Sequence, residues 1–113
     1  MSRRKPLAIF VTAVPCSGKT MVSGYLSKRL GIPVLWPEQA YSQYSGRKDN
    51  IGQQVHETDR ETKEKLYTQW FADSALSGDV ILEGYCLFLR EDRQIIRSHL
   101  GERTELFFFL DLD

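Results

Sequence analysis

The chain has 113 residues, of which 42% are hydrophobic and 27% are charged, a composition typical of one globular domain. Its fifteen basic and fifteen acidic residues cancel to a formal net charge of zero. No overall field would therefore draw the chain to nucleic acid or to an anionic membrane, and a nucleic-acid partner is not indicated unless local patches supply one. Membrane-length apolar runs, repeats and low-complexity tracts are absent from the sequence, which excludes a membrane-spanning helix and a disordered tract.

The first predicted element is a strand over residues 7–12, where the sequence L-A-I-F-V-T is almost continuously apolar. Such a run is typical of a strand buried on both faces of a parallel sheet. A helix is predicted after the next loop, because apolar residues recur there at spacings of three and four and Gly31 can adopt the left-handed conformation that ends a helix. The apolar positions of this helix are Met21, Val22, Tyr25, Leu26 and Leu30.

The octet A-V-P-C-S-G-K-T between this strand and this helix predicts a phosphate-binding loop, although Ala13 replaces the first glycine of the pattern G-x-x-x-x-G-K-[ST]. Small residues let successive backbone N–H groups turn towards phosphate oxygens. Lys19 is predicted to reach the β and γ phosphates, and the Thr20 hydroxyl to coordinate Mg²⁺. The alternative is an ordinary turn between a strand and a helix. The predicted nucleotide-binding residues are Ala13, Val14, Pro15, Cys16, Ser17, Gly18, Lys19 and Thr20.

A basic N-terminus followed by an apolar stretch superficially resembles a secretory signal. Pro15 directly before Cys16 is a poor cleavage context, and the apolar run is short. We therefore expect a cytoplasmic protein. The two cysteines, Cys16 and Cys86, lack the spacing of zinc ligands and are expected to be reduced.

Strands and helices alternate along the rest of the chain, which predicts an α/β fold with parallel strands and right-handed crossovers. The apolar core of the last strand is expected to be covered by helices on both faces of the sheet. The predicted elements are a strand over 32–36, an irregular segment or loose helix over 38–54, a helix from about 58 to 78, a strand over 79–83, a helix that ends at 101, and a strand over 105–112.

Two carboxylates follow predicted strands, at the edge where the active crevice of a parallel α/β sheet lies. Glu83 ends the run V-I-L-E, where phosphate-loop enzymes place an acidic residue that holds Mg²⁺ directly or through water; the alternative is a solvated glutamate at a strand end. Glu38 is a candidate base that accepts the proton of an attacking hydroxyl. Alternatively, Glu38 caps a helix start after Pro37 or faces water.

Aromatic residues cluster in sequence around the predicted crevice and could stack on a base or a sugar. Core packing is expected for Trp36 and Phe88. The acceptor-site candidates are the three tyrosines expected in loops, Tyr41, Tyr44 and Tyr85.

The order of these motifs resembles the small phosphate-loop kinases, particularly the zeta-toxin and polynucleotide-kinase-like branch. The matching stretches are A-V-P-C-S-G-K-T, D-V-I-L-E-G-Y-C-L-F-L-R-E-D-R and L-F-F-F-L-D. The resemblance implies a phosphate-loop NTPase-like parallel sheet with strand order 2-3-1-4 and flanking helices. It also implies ATP or another nucleoside triphosphate with Mg²⁺ as cofactors, and phosphoryl transfer to a small-molecule or nucleotide hydroxyl.

The sequence departs from this branch in two ways. Members often carry an aspartate followed three residues later by an arginine after the second strand, whereas this chain has Glu38 and Tyr41, and Arg47 is a candidate substitute. Members also follow the fourth strand with a lid that carries arginines and with a fifth strand. We therefore expect a single kinase-like domain over 1–113 that lacks these parts, with Arg90, Arg93 or Arg97 as compensating cations or as ordinary surface residues. The alternative function is a non-catalytic ATP-binding module or lid-deficient fragment.

Overall fold

A computed structural model describes residues 5–13, 19–48, 50–74, 76 and 78–110 of the chain. Strands and helices alternate through this part of the molecule, as the sequence predicts. The elements are β1 (Leu7–Ala13), α1 (Lys19–Leu30), β2 (Val34–Leu35), α2 (Gln39–Tyr44), α3 (Ile51–Glu57), α4 (Arg60–Ser74), β3 (Val80–Glu83), a 3₁₀ turn (Tyr85–Phe88), α5 (Arg90–Leu100) and β4 (Thr104–Leu110). None of the helices described is long and apolar enough to cross a membrane.

The described strands form one parallel sheet with the order β2-β3-β1-β4, which confirms the predicted α/β fold and strand order. In the centre of the sheet, Val11 of β1 lies in register with Glu83 of β3. Strand β2 is shorter than predicted. Pro33 before it has no N–H to donate to a neighbouring strand, and only its carbonyl joins the sheet, by accepting the Ile81 N–H at 2.9 Å.

Helices cover the sheet unequally on its two faces. The α1 face is the side on which α1 packs, and its cluster of buried side chains consists of Ile9, Val11, Ile32 and Ile81 among the described residues. The α4/α5 face carries a larger buried cluster that includes side chains from α2, α4, α5 and the 3₁₀ turn. Phe10 and Leu82 are the sheet residues at its centre, and Trp70 of α4 packs over the same cluster.

Residues 38–54 were expected to be irregular or loosely helical, and the structure resolves them into α2 and α3. Local caps explain where α3 and α4 begin. The Asn50 side chain accepts the Gln53 N–H at 2.7 Å, and the Asp59 side chain accepts the Thr62 N–H at 3.1 Å.

Of the three helices that were expected to end at a glycine, two do so. Gly31 and Gly101 directly follow α1 and α5 with φ of 69° and 71°, in the left-handed region that favours glycine. Helix α4, which was expected to continue to Gly78, ends earlier at Ser74.

Strand β4 is the clearest departure from expectation, because its apolar core is not covered on both faces. Leu106, Phe107, Phe108 and Phe109 are 39–45% exposed, although the corresponding residues of β1 and β3 are buried. Strand β4 lies at an edge of the sheet, and no described strand pairs with its outer side. A continuous apolar run thus predicted the strand correctly but not its burial.

Candidate active site

In the sequence, the predicted phosphate loop joins the end of β1 at Ala13 to the start of α1 at Lys19. Lys19 and Thr20 form the beginning of α1, and their side chains lie outside the described part of the structure. The loop residues between the two elements, Val14, Pro15, Cys16, Ser17 and Gly18, also lie outside the described residues. Their assignment to nucleotide binding stays a prediction.

Glu83 is buried at the carboxyl end of β3 and points towards α1. Its side chain is 2% exposed, and its Oε2 accepts hydrogen bonds from the Ser23 hydroxyl at 2.6 Å and from the Trp36 indole Nε1 at 2.9 Å. Ser23 lies about one helical turn after Thr20 on α1. The carboxylate is therefore not a solvated strand-end group, and it is held against the helix that begins at the loop.

The sequence pattern did not identify Ser23 and Trp36 as partners of Glu83. Trp36 was expected in the core but is 44% exposed, because its indole N–H reaches the Glu83 carboxylate while its ring stays at the surface. A serine three residues after the loop threonine was the available signal, since positions three apart on a helix share one face. Both residues, together with Glu83 and Lys28, line an open groove of about 390 Å³.

Glu38 occupies the N-cap position of α2 but does not cap that helix with its side chain. Its Oε1 instead accepts the backbone N–H of Cys86 at 3.1 Å, in the 3₁₀ turn that follows β3. The side chain is half-buried, and among the described residues no hydrogen bond engages its other oxygen, Oε2. The structure therefore contradicts the alternative that the Glu38 side chain caps the helix, whereas the half-buried carboxylate is compatible with the alternative that it faces water.

Gly84 lets the Glu38 carboxylate lie close to the backbone directly after Glu83. A Cβ atom at Gly84 would lie 3.2 Å from Oε1 of Glu38, which is closer than ordinary van der Waals contact. Glu83 precedes this glycine, and the Gly84 N–H donates to the carbonyl of Val11 in β1 at 3.1 Å. The missing side chain lets the Glu38 carboxylate approach the backbone where β3 leaves the sheet, beside the strand that leads into the loop.

A buried hydroxyl also lies at this edge. Thr12, the residue before the end of β1, is fully buried, and no described residue forms a hydrogen bond with its Oγ1. It shares the α4/α5 face with Phe10, since alternate residues of a strand point to the same side, and it lies in register with Phe109 of β4.

The three tyrosines predicted as acceptor candidates take different positions. Tyr41 is fully buried in α2 and its hydroxyl donates to Asp92 at 2.6 Å, so the prediction for Tyr41 is wrong. The hydroxyl of Tyr44 donates to Asp73 of α4. Tyr85 lies in the 3₁₀ turn next to Gly84, where its hydroxyl and His56 Nε2 are 2.9 Å apart.

The arginines considered as substitutes for acceptor-binding or lid residues have structural partners. Arg47 pairs with Glu57 at 2.7 Å, at the exposed end of α3. Arg93 donates to the carbonyls of Leu87 and Phe88 at 3.1 and 3.3 Å. Arg97 pairs with Glu105 at 2.9 Å. These contacts favour bracing roles for the three side chains, whereas Arg90 is exposed at the start of α5.

A second group of ionisable side chains is buried under the α4/α5 face, away from the loop. Asp92 is fully buried and accepts hydrogen bonds from Tyr41, from Tyr67 at 2.6 Å and from Lys63 at 2.8 Å. Burial, reinforced by the Asp92 carboxylate, raises the pKa of the Tyr41 and Tyr67 hydroxyls. Burial also raises the pKa of the free Cys86 thiol nearby, and the Glu38 carboxylate adds to that shift. The two tyrosine hydroxyls and the Cys86 thiol therefore stay protonated near neutral pH, and we assign the cluster a structural role.

The donor chemistry at the α1 side fits a hard divalent cation such as Mg²⁺. This ion usually takes one or two carboxylates together with phosphate oxygens and water, rather than a cage made wholly of protein ligands. Glu83 supplies one carboxylate beside Ser23 of α1. The described residues contain no cluster of three or more metal-ligating side chains. The arrangement suits a metal bound mainly through a nucleotide.

Comparison with known proteins gives matches at the level of structure. No protein-family model and no curated protein matches the sequence. Among solved structures, the chain is similar to an APS kinase of Mycobacterium tuberculosis, with 19% identity and a TM-score of 0.58 over 96% of this chain and 78% of that one. The fold is that of the phosphate-loop kinases.

Two further kinases show the same likeness. A gluconokinase of Sinorhizobium meliloti is 18% identical with a TM-score of 0.60, over 95% of this chain and 58% of that one. A shikimate kinase of Aquifex aeolicus is 25% identical with a TM-score of 0.51, over 88% of this chain and 61% of that one. The chain thus spans about three fifths of the length of these two phosphate-loop kinases, whose named substrates differ from one another.

Proposed function

We propose that this chain transfers the γ-phosphoryl group of ATP, or of another nucleoside triphosphate, to a hydroxyl of a small molecule or nucleotide. The observation that carries the proposal is the meeting of three features at one edge of the sheet. The junction from β1 to α1 lies beside the carboxyl end of β3, where Glu83 is held against α1 and Glu38 is held against the 3₁₀ turn. Active crevices of parallel α/β sheets lie at this edge.

On the nucleotide side, backbone N–H groups of residues 14–18 and the start of α1 would surround the phosphates. Lys19 would contact the β and γ phosphates, while Thr20 and Glu83 would hold Mg²⁺ directly or through water. When bound, Mg²⁺ would neutralise part of the negative charge on the phosphate oxygens. Ser23 and Trp36 would fix the orientation of the Glu83 carboxylate through their hydrogen bonds to Oε2.

On the acceptor side, Glu38 is the proposed base. The Cys86 N–H holds Oε1, which leaves Oε2 to accept the proton of the acceptor hydroxyl. The hydroxyl oxygen forms the new bond to the γ-phosphorus, the bond from the γ-phosphorus to the β–γ bridging oxygen breaks, and the nucleoside diphosphate leaves with that electron pair. Positioning and charge neutralisation supply most of the catalysis in such reactions.

We further propose that the chain is most similar in mechanism to the zeta-toxin and polynucleotide-kinase-like branch and that it acts in the cytoplasm, where ATP and Mg²⁺ are available. The motifs that support this placement are the S-G-K-T sequence that leads into α1 and the E-G-Y sequence that begins at the last residue of β3. The rival function is a module that binds ATP without transferring phosphate. The two are separated by experiment.

Isothermal titration with Mg·ATP tests the nucleotide site. Lys19→Ala is expected to weaken binding about 100-fold, because it removes a charged partner of the phosphates. Arg29→Ala, which removes an exposed cation from the last turn of the same helix, is the matched control and should bind like the wild type. Equal binding by the wild type and Lys19→Ala would remove the site assignment.

Steady-state transfer assays across a panel of nucleosides, nucleotides, sugars and hydroxy acids test the reaction. Glu38→Gln should lower kcat about 100-fold or more while Mg·ATP still binds, since it removes the proton acceptor. Binding of Mg·ATP without any phosphorylated product would favour the ATP-binding module. An unchanged kcat in Glu38→Gln would show that another group, or none, accepts the proton.

A further inference from the structure

We propose that the acceptor is a nucleoside whose base stacks on an aromatic wall beside Glu38. The aromatic wall consists of Tyr85 and Phe88 of the 3₁₀ turn and Phe109 of β4. This inference rests on the proposed function, and it narrows the acceptor from any small hydroxyl compound to one that carries a planar, uncharged aromatic ring.

The rings of the wall form one continuous surface. Tyr85 and Phe88 are stacked with centroids 6.4 Å apart and planes 13° apart, and Phe88 and Phe109 follow with centroids 5.5 Å apart. At the other end, the His56 ring lies edge-on to Tyr85 at 5.9 Å. Three separate parts of the chain, α3, the 3₁₀ turn and β4, thus contribute neighbouring rings.

The wall keeps a large part of its apolar area in contact with water. Phe88 and Phe109 are each 45% exposed, although each ring touches another aromatic ring. Large apolar side chains in a small domain are usually buried further than this. Exposed apolar patches often mark binding sites for ligands. Every nucleobase presents a flat face that can cover such rings, with an affinity contribution that depends little on the identity of the base.

The position of the wall matches the proposed reaction. Phe109 lies in register with Thr12, one residue before the end of the strand that leads into the candidate phosphate loop. Tyr85 directly follows Gly84, against which the Glu38 carboxylate lies. A base stacked on the wall would therefore place its sugar between the candidate proton acceptor and the nucleotide.

Two side chains in contact with the wall, Arg93 and His56, favour an uncharged ring over an anionic acid, because both are engaged within the protein; the exposed Arg90 stands beyond the turn, at the start of α5. Arg93, the arginine in contact with this turn, directs its guanidinium group to the carbonyls of Leu87 and Phe88 and lies 5.6 Å from the Phe107 ring centroid. These contacts hold the backbone of the turn that carries Tyr85 and Phe88. His56 is likewise engaged, by the Tyr85 hydroxyl. An acceptor that carried a sulfate or carboxylate would need cations directed outwards from these positions.

The reaction on a nucleoside needs no additional reactant. A sugar hydroxyl oxygen bonds to the γ-phosphorus as its proton passes to Glu38 Oε2, and the nucleoside diphosphate departs with the electrons of the broken P–O bond. The products are a nucleoside monophosphate and a nucleoside diphosphate. The wall contributes binding and orientation only.

The direct test is a titration of adenosine, guanosine, cytidine and thymidine into the intact chain, with shikimate and gluconate as non-aromatic comparison compounds. Nucleosides should bind, and the two acids should bind at least tenfold more weakly. Phe88→Ala should weaken nucleoside binding about tenfold or more. Tyr25→Ala, which removes a ring that is 65% exposed on α1, is the matched control and should not change nucleoside binding.

A second variant protects the test against misfolding. Phe88→Leu keeps apolar volume but removes the flat ring, so it should retain the urea midpoint of the wild type and still lose nucleoside affinity. Preferential binding of either acid, or equal nucleoside affinities in Phe88→Leu and Tyr25→Ala, would overturn the proposal. So would failure of all four nucleosides to bind, as expected if another protein segment or a second copy covers the wall.

The test of the aromatic wall and the test of the proposed kinase function can succeed or fail independently. The nucleoside titration needs no turnover, so affinity that depends on Phe88 would support the wall even if Mg·ATP did not bind. Conversely, Mg·ATP binding that depends on Lys19, together with phosphorylation of gluconate or shikimate but of no nucleoside, would support a kinase and reject the nucleoside acceptor.

Discussion

The two faces of the sheet differ in the size of the buried apolar cluster on each and in the role of the carboxylate buried there. On the α4/α5 face, a large apolar cluster surrounds a buried carboxylate, Asp92, which is matched by a buried cation, Lys63. On the α1 face, the buried cluster among the described residues has four members, and the buried carboxylate there is Glu83 at the end of β3. Asp92 links α5 to α2 and α4 through hydrogen bonds, whereas Glu83 is held against α1, the helix that follows the candidate loop.

This difference indicates that the larger apolar core and the proposed Mg·ATP site lie on opposite faces of the same strands. Neighbouring residues of β3 point alternately to the two faces, so changes one residue apart test the two sides separately. Substitutions on the α4/α5 face should mainly lower the free energy of unfolding. Substitutions around Glu83 should mainly affect the use of Mg·ATP.

Breaking the buried ion pair should have the largest effect on stability. Lys63→Met leaves the Asp92 carboxylate buried without its cation and should cost about 3–5 kcal/mol of unfolding free energy, measured by urea denaturation. Lys65→Met on the same helix is the control, because the Lys65 side chain is 77% exposed and should change stability by less than about 0.5 kcal/mol. Similar losses of unfolding free energy in both variants would show that the buried ion pair contributes no more to stability than an exposed lysine does.

A matched pair of truncations in β3 compares the two apolar clusters directly. Ile81 and Leu82 are both fully buried, on the α1 face and the α4/α5 face respectively. Leu82→Ala should fall near the upper end of the range of about 2–5 kcal/mol, and Ile81→Ala near its lower end, since the apolar cluster of described residues around Ile81 is smaller. The reverse order in urea unfolding would contradict the difference between the faces.

A smaller change of opposite sign is expected at the end of β1. Thr12→Val replaces a buried hydroxyl, for which the described residues supply no hydrogen-bond partner, with a methyl group of similar size. The variant should gain about 0.5–1.5 kcal/mol in thermal or urea unfolding, because the cost of desolvating the hydroxyl is removed. A loss of stability would indicate that the hydroxyl has a partner in solution.

The smallest expected effect is at the outer surface of the α4/α5 side. The hydroxyl of Tyr44 donates to Asp73, which lowers the pKa of that carboxyl, with a further contribution from Gln69. A lowered pKa in the folded state gives stability that is present above the unfolded pKa and is lost as pH falls through the folded pKa. Tyr44→Phe should raise the Asp73 pKa in an NMR titration and leave the urea midpoint almost unchanged, since the contact is exposed to solvent. An unchanged pKa would mean that the contact is not maintained in solution.

The backbone pattern was predictable from the sequence because it depends on local signals. Apolar runs marked β1, β3 and β4, and glycines marked the ends of α1 and α5. The burial of β4 was not predictable in this way. A continuous apolar run shows that a segment is suited to a strand, but the neighbours of that strand depend on the rest of the fold.

The candidate site was predictable only at the level of single residues. Glu83 and Glu38 were identified because each follows a strand. Their partners were not, since the contact between Glu38 and Cys86 joins residues 48 positions apart. Tyr41 was misplaced for a related reason, because its role depends on Asp92, 51 residues later. Asp92 lies three and four residues before Ile95 and Ile96, so a charge on the buried face of α5 was the available signal.

The exposed outer edge of β4 has a practical consequence for work on the purified chain. No described strand pairs with the backbone groups on this edge, and together with the row of apolar side chains from Leu106 to Phe109 they form a template on which another extended segment can hydrogen-bond. Dilute samples and brief storage should therefore give cleaner titrations than concentrated stocks. A charged substitution at Phe108, on the opposite face from the aromatic wall, offers a way to improve solubility without altering the proposed acceptor site.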